Sequence, residues 1–399
     1  MKNIKLILKI CFKLLLKGSI NVIYFSFRIF PFNQKKIVFF STRSSGNSEN
    51  LAPLIEELKK RELDWKVIEM SAQLETNLSQ LYKHPKISIK ILYLLATSRF
   101  FIIDDYCLPI YLIHKRIRAD VIQIWHAAGA FKKFGQSIPR ETKHSLQEFE
   151  RQLIPIHSGY SKAIVSSKSA AKYFSEAFNL KEENVLPLGV PKTDCLFNEQ
   201  LLENSTSKLK HKYSDLKADV KTVVYMPTFR EQGNKRVGFK LFFDDISELY
   251  AVLEAEKIML IIQVHPYIKE RISIPPAYEK WIKINDGLMT TPELLLASNA
   301  FVTDYSSLLF DYSLLGKPMS LYMPDLAQFD KNRGFYGNIM NELPGPILES
   351  ESQIFKWLTD LKSIQKDYSN DIFVKKWFDH HDGFASKRIV DYLVVEQSK

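Results

Sequence analysis

The chain has 399 residues, 46% apolar and 25% charged, a globular composition long enough for two packed domains and unlike that of a disordered chain. Its formal net charge of +10 does not describe a polyanion-coating surface: eight basic and no acidic residues lie between Met1 and Lys36, leaving only +2 for the rest, so nucleic acid is not an expected partner. Three cysteines, Cys11, Cys107 and Cys195, lack metal-ligand spacing and cannot build a disulfide framework, which fits a reducing cytoplasmic compartment.

Residues 1–34 form the first predicted element. Lysines at 5, 9, 13 and 17 fall on an arc of about 120° on a helix, and Leu6, Ile7, Leu8, Ile10, Phe12, Leu14 and Leu15 cover the remainder. Such a cationic amphipathic helix suits a lipid headgroup layer. A membrane span needs about 20 apolar residues, and the longest uncharged run here is Gly18 to Phe27. Two other readings stay open, a core helix with a charged outer face and a targeting signal without a convincing cleavage site. The expectation is a peripheral protein on the cytoplasmic face of the cell membrane.

From residue 35 the pattern alternates. "KIVFFST" reads as a strand, "LAPLIEELKKRE" as a helix, and "WKVIEMS", "RFFIIDD" and "DVIQIWH" as strands. "SKAIVSS" precedes the helical "KSAAKYFSEAFN". Residues 196–220 are polar, lysine-rich and without strand signal, a plausible connection. A second series follows with "KTVVYMPT", "KIMLIIQVHP", "IKIND", "AFVTD" and "KPMSLYM". Strands alternating with helices imply parallel βαβ units. The expected architecture is α/β, with Rossmann-like domains at 35–195 and 221–375 facing one another across a cleft and a helical segment at 376–399.

Open α/β sheets collect ligands beyond the carboxyl ends of their strands. Those ends here carry Trp125 and His126 before Ala127, Ala128, Gly129 and Ala130; Pro227, Thr228 and Arg230; Gln263 and His265; and Asp304, Ser306 and Ser307, with Asp311 one turn on. A histidine at a strand end is either structural or catalytic. Arg230 either pairs with a neighbouring carboxylate or holds an anion. The two serines either cap the following helix or donate to a phosphate at its start. Without a Walker A lysine or GxGxxG, neither ATPase nor ordinary dehydrogenase chemistry is supported. Asp104–Asp105 reads as structural, and no residue set has metal-ligand spacing, so no obligatory metal or cofactor is expected.

The motifs WHAAGAFKKFG, PLGVPKTD, YMPTFR, QVHP, TDYSSLLFDYSLLGKP and RGFYGN…PGPI, in this order from about Lys36 to Pro346, resemble the CDP-glycerol glycerophosphotransferase family, the teichoic acid polyol-phosphate primases and polymerases. The resemblance implies a GT-B-like fold and a membrane-peripheral transferase. It implies His126 as the base, with Ala127 to Ala130 lining the cleft. Nucleotide–polyol contacts are implied for Lys192, Pro227, Thr228, Gln263, Val264, His265, Ser306, Ser307 and Asp311. In the implied reaction a hydroxyl of a lipid-linked (polyprenyl diphosphate) acceptor attacks the β-phosphorus of CDP-glycerol or CDP-ribitol and releases CMP, with His265, Lys192, Arg230 and the serine pair stabilising the charge. Two departures stand out: WHAAG replaces the common WHGTP, and Lys192 stands where arginine is frequent, keeping charge but losing a bidentate fork. "DKNRGFYGN" is either a plain connection or a flap carrying Arg333. A GT-B glycosyltransferase using a nucleotide sugar and a non-catalytic binder of anionic polymers are the competing readings. The polyol, the number of units added, the polymer made and the oligomeric state are left open by the sequence.

Overall fold

The computed structural model describes residues 2–43, 46, 48–74, 78–113, 117–138, 145–213, 219–232, 235–238, 246–264, 273–363 and 368–398. They divide into two compact units, Met1–Asp194 with Phe378–Lys399, and Cys195–Trp377.

The first unit is built on a parallel sheet of β1 (Asn33–Ser41), β2 (Lys66–Ser71), β3 (Ser98–Ile103), β4 (Asp120–Gln123), β5 (Lys162–Ile164) and β6 (Val185–Leu186), in the order 2-1-3-4-5-6. Ile37 to Phe40 and Phe100 to Ile103 are almost wholly buried, as strands covered on both faces must be. The strand order reverses between β1 and β3, so their carboxyl ends bracket the crevice where open α/β sheets take ligands.

The helix Ala385–Gln397 returns to this sheet. Its Ile389, Val390 and Leu393 join Ile37, Phe39, Leu54 and Leu58 in one apolar cluster. The GVPKTD stretch receives it: Asp194 accepts from the Ala385 and Ser386 N–H groups at 2.9 and 2.8 Å, capping the exposed helix start. Gly189, at φ +100°, lies so close that a Cβ there would sit 2.7 Å from the Ala385 Cβ.

The N-terminal helix Lys2–Phe27 lies on the first unit with one face. Ile10 and Tyr24 are buried on that face, and Tyr24 accepts from the Arg118 N–H. The lysine arc borders the same side. Lys13 pairs with Glu150 at 2.6 Å, and Lys17 donates to the Leu153 carbonyl at 2.6 Å, answering groups at the end of helix Ser145–Gln152. The opposite face carries Ile4, Leu8, Phe12, Leu15 and Val22, each more than half exposed. Among the described residues no helix is long and apolar enough to cross a membrane.

The second unit holds β7 (Lys221–Met226), an antiparallel hairpin of β8 (Phe229–Gln232) and β9 (Lys235–Gly238), then β10 (Ile258–Ile262), β11 (Ile282–Ile284), β12 (Ala300–Thr303), β13 (Met319–Tyr322) and β14 (Ile347–Leu348). Its main sheet is parallel, in the order 11-10-7-12-13-14. Counting its strands alone this is 3-2-1-4-5-6, the Rossmann order, with the switch point between β7 and β12. The stretch at 196–220 contributes helix Glu199–Lys212, which packs on helix Thr291–Ala297 within this unit through Lys208–Glu293 at 2.8 Å. The hairpin β8–β9 begins within the motif PTFR, at Phe229, where the sequence pattern carries no strand signal.

Candidate active site

In the first unit the carboxyl ends of β1, β3 and β4 bring Arg43, Asp104, Asp105 and His126 together. The His126 ring is about a third exposed, and its Nδ1 lies 3.5 Å from Asp105 Oδ2. Arg43 Nη1 approaches the same oxygen at 3.1 Å, while Asp105 Oδ1 accepts from the Tyr106 N–H at 2.7 Å. Ser48 donates to Asp104 at 2.5 Å. Burial holds the His126 imidazole well below its ordinary range, and the nearby Arg43 and Lys192 cations push the same way. The ring is therefore neutral at neutral pH, the state a general base needs. Burial also pushes the Asp105 carboxyl up to about 6, against the pull of Arg43.

The turn that presents His126 is unusual. Trp125 has φ +50°, a left-handed backbone for a bulky residue, and its indole is buried. The indole packs against Tyr106, Phe134, His157 and Phe178, with the His126 ring 4.2 Å from it between centroids. His157 is fully buried here. Its Nδ1 meets the Tyr160 hydroxyl at 2.9 Å, which meets Tyr111 at 2.8 Å. Of the small residues after His126, Ala128, Gly129 and Ala130 are buried and Ala127 is half-buried. Ala127 is the one of the four with surface to offer. Lys192, half-buried, is the second residue of the 3-10 turn Pro191–Phe197.

In the second unit the switch point joins the ends of β7 and β12. Asp304, fully buried, accepts from the Thr228 N–H at 2.9 Å and from Arg230 at 2.8 Å. Arg230 also grips Asp325 with Nε at 2.6 Å and Nη2 at 3.1 Å, and its guanidinium lies over the Tyr305 ring. Of the two sequence readings for Arg230, pairing with carboxylates is the arrangement seen. Ser306 accepts from the Leu308 N–H at 3.2 Å, and Ser307 precedes helix Leu308–Ser313 without a side-chain cap bond. Pro227 is buried, Thr228 half-buried, and Asp311 is buried in the helix's first turn. Gln263 donates to Thr291 at 2.9 Å and accepts from Asn285 at 3.0 Å, while Val264 packs on the core. His265 lies outside the described residues, as does the side chain of Arg333.

Sequence reasoning missed Arg43, Asn50, Asp105 and Gln123 as parts of this site. The signal was their place: each stands at or just beyond a strand end or at a helix start of the first sheet. Among the described residues no group of three or more His, Cys, Asp or Glu side chains is arranged to hold a metal ion.

The sequence profile of the CDP-glycerol:poly(glycerophosphate) glycerophosphotransferase family matches residues 22–395. The chain belongs to this glycerophosphotransferase family. Among curated glycerophosphotransferase relatives, a teichoic acid poly(ribitol-phosphate) polymerase of Bacillus spizizenii is 34% identical over 94% of this chain and 59% of its own length. A teichoic acid ribitol-phosphate primase of the same organism is 30% identical over 92% of each chain. The teichoic acid glycerol-phosphate primase of Bacillus subtilis is 29% identical over 78% of this chain and 77% of its own. The chain thus spans about three-fifths of one relative and nearly all of another. In solved structures, the wall teichoic acid polymerase TagF superposes with TM-score 0.74 at 22% identity, covering 100% of this chain and 98% of that chain. This shows the chain to be α/β and GT-B-like. A UDP-GlcNAc 2-epimerase from Neisseria meningitidis shares the fold more loosely, at TM-score 0.57 and 13% identity over 90% of this chain and 99% of that one. Fold alone therefore does not name the chemistry.

Proposed function

We propose that the protein transfers a polyol phosphate from a CDP-polyol to a hydroxyl of a lipid-linked acceptor, releasing CMP, in teichoic acid or related cell-surface polymer synthesis. The observation that carries this is the partly exposed His126 imidazole at the strand ends of the first sheet, its Nδ1 3.5 Å from Asp105 Oδ2, in a chain of the glycerophosphotransferase family. An alcohol is a weak nucleophile at neutral pH, and a base at hydrogen-bond reach is worth about 10²–10⁴ in rate. His126 takes the acceptor proton through its outer nitrogen while Nδ1 faces Asp105. Lys192 meets the diphosphate from the same unit. Thr228, Gln263, Ser306 and Ser307 line the donor end at the second switch point, with His265 beside Gln263 in the sequence. Arg230 acts there by holding Asp304 and Asp325 rather than by gripping the nucleotide.

The three relatives aligned over 92% or more of this chain are named for ribitol phosphate, so CDP-ribitol is the donor expected to turn over fastest. Membrane attachment belongs to the same reading. The helix Lys2–Phe27 turns part of its lysine arc to the protein and an apolar stripe outward, which suits a peripheral seat on the cytoplasmic leaflet.

The test is CMP release from CDP-ribitol and CDP-glycerol with a lipid acceptor analogue, beside a panel of UDP-sugars. CMP release that requires the acceptor supports the reading. UDP release from a sugar donor, with no CMP, would replace it by a glycosyltransferase.

A further inference from the structure

Asn50 immediately precedes helix Leu51–Lys60, a position where asparagine ordinarily caps the helix, yet its side chain makes no cap bond. The carboxamide is committed elsewhere. Its Nδ2 donates to the Trp125 carbonyl, and its Oδ1 accepts from the Lys192 N–H at 3.3 Å. A main-chain carbonyl demands the NH2 end and a main-chain N–H demands the oxygen, so the two partners fix the orientation of the group. The residue is 3% exposed, which leaves little room for water to replace either bond. On the other side of the same turn, Gln123 Oε1 accepts from the Trp125 N–H at 2.9 Å and Nε2 donates to the Asp105 carbonyl at 3.1 Å. The left-handed backbone of Trp125 is therefore held at both its polar groups by buried carboxamides.

We propose that Asn50 is a positioning residue of the transfer reaction, a single carboxamide that keeps the turn bearing His126 and the turn bearing Lys192 in register. The inference rests on the transferase reading and deepens it, since it ties the proton acceptor to the cation expected at the diphosphate. No other side chain of this size serves. Aspartate keeps the Lys192 bond but sets an acceptor against the Trp125 carbonyl; serine and alanine reach neither partner properly.

Asn50→Asp and Asn50→Ala are compared with wild type for CMP release, and each is combined with His126→Ala. Asn50→Asp is expected to lower kcat about 100-fold, the scale of a misplacement near 1 Å, and to lower it by a smaller factor in the His126→Ala background, where only its hold on the Lys192 turn is left to lose. Losses that multiply in the double variants, or wild-type kcat in folded Asn50→Ala, overturn the inference. An independent readout needs no turnover: NMR titration of the His126 ring, which faces Arg43, Lys192, Asp104, Asp105 and His157. In the charge-neutral Asn50→Ala variant the ring is expected to titrate closer to 6.5 than in wild type, and an unchanged titration sinks the proposal. If wild type releases no CMP from any CDP-polyol, the transferase reading falls, and the titration still decides whether Asn50 sets the ring.

Discussion

Arg230 Nη1 lies 2.8 Å from Asp304 Oδ2, and the carboxylate is fully buried. Because Asp304 also receives the Thr228 N–H, this pair locks the end of β7 to the end of β12 at the switch point. Breaking a buried pair from one side leaves an uncompensated charge, at a cost of about 3–5 kcal/mol. Arg230→Ala should lose stability on that scale in denaturant unfolding, because it leaves the buried Asp304 carboxylate without its cation. Arg230→Lys should also destabilise, since a point charge cannot reproduce the forked grip on Asp325.

Asp105 sets up an opposition between stability and activity. Its carboxyl is raised from 3.8 to about 6, so the fold favours the protonated form and the group's contribution falls as pH rises through that window. Above pH 6 the difference corresponds to about 3 kcal/mol. Asp105→Asn should therefore melt higher than wild type at pH 7.5, with the gap closing toward pH 4, while losing turnover because His126 loses its carboxylate neighbour. Equal melting temperatures at pH 7.5 would contradict this.

His157 should give the opposite pH trend. Burial lowers its imidazole to about 3, so the fold needs it neutral and its contribution, complete above 6.5, is lost as pH falls. At pH 5 the loss is about 2 kcal/mol relative to pH 7. Substitution by phenylalanine should flatten the acid limb of the stability curve between pH 6.5 and 4, measured by urea unfolding at each pH.

His126→Ala should cut turnover by about 10²–10⁴ with little change in fold, the ring being partly exposed at the surface of its unit. Near-normal CMP release from the variant would remove His126 from the chemistry.

The outward stripe of the N-terminal helix is tested by Leu8→Asp with Leu15→Asp. Both side chains are more than 60% exposed, so stability should change by no more than about 0.5 kcal/mol. Co-sedimentation with anionic lipid vesicles should drop sharply, and activity on a water-soluble acceptor analogue should persist.

Much of this was legible in the sequence, for physical reasons. Strands covered on both faces must be runs of apolar residues, which is why "KIVFF" and "RFFII" stood out, and polar residues at their ends mark the ligand side. What stayed hidden depends on contacts between distant segments. Nothing near Asn50 in the chain reveals that Trp125 and Lys192 share it. Asp105 beside Asp104 looked like scaffolding until the parallel pairing of β3 with β4 set it against His126. The sequence left Arg230 open between a carboxylate partner and an anion, and the carboxylates it meets, Asp304 and Asp325, are far along the chain. The hairpin β8–β9 is short and charged, with none of the apolar alternation that betrays a strand.

The return of helix Ala385–Gln397 to the first sheet carries a consequence for biosynthesis. Ile389, Val390 and Leu393 complete a core whose other members were made hundreds of residues earlier. On the ribosome the amino-terminal half must wait, with part of its sheet uncovered, until residues 385–397 have emerged. Chaperone demand should therefore last until that helix is made, and stop codons shortly before residue 385 should yield chains that aggregate rather than a usable first unit.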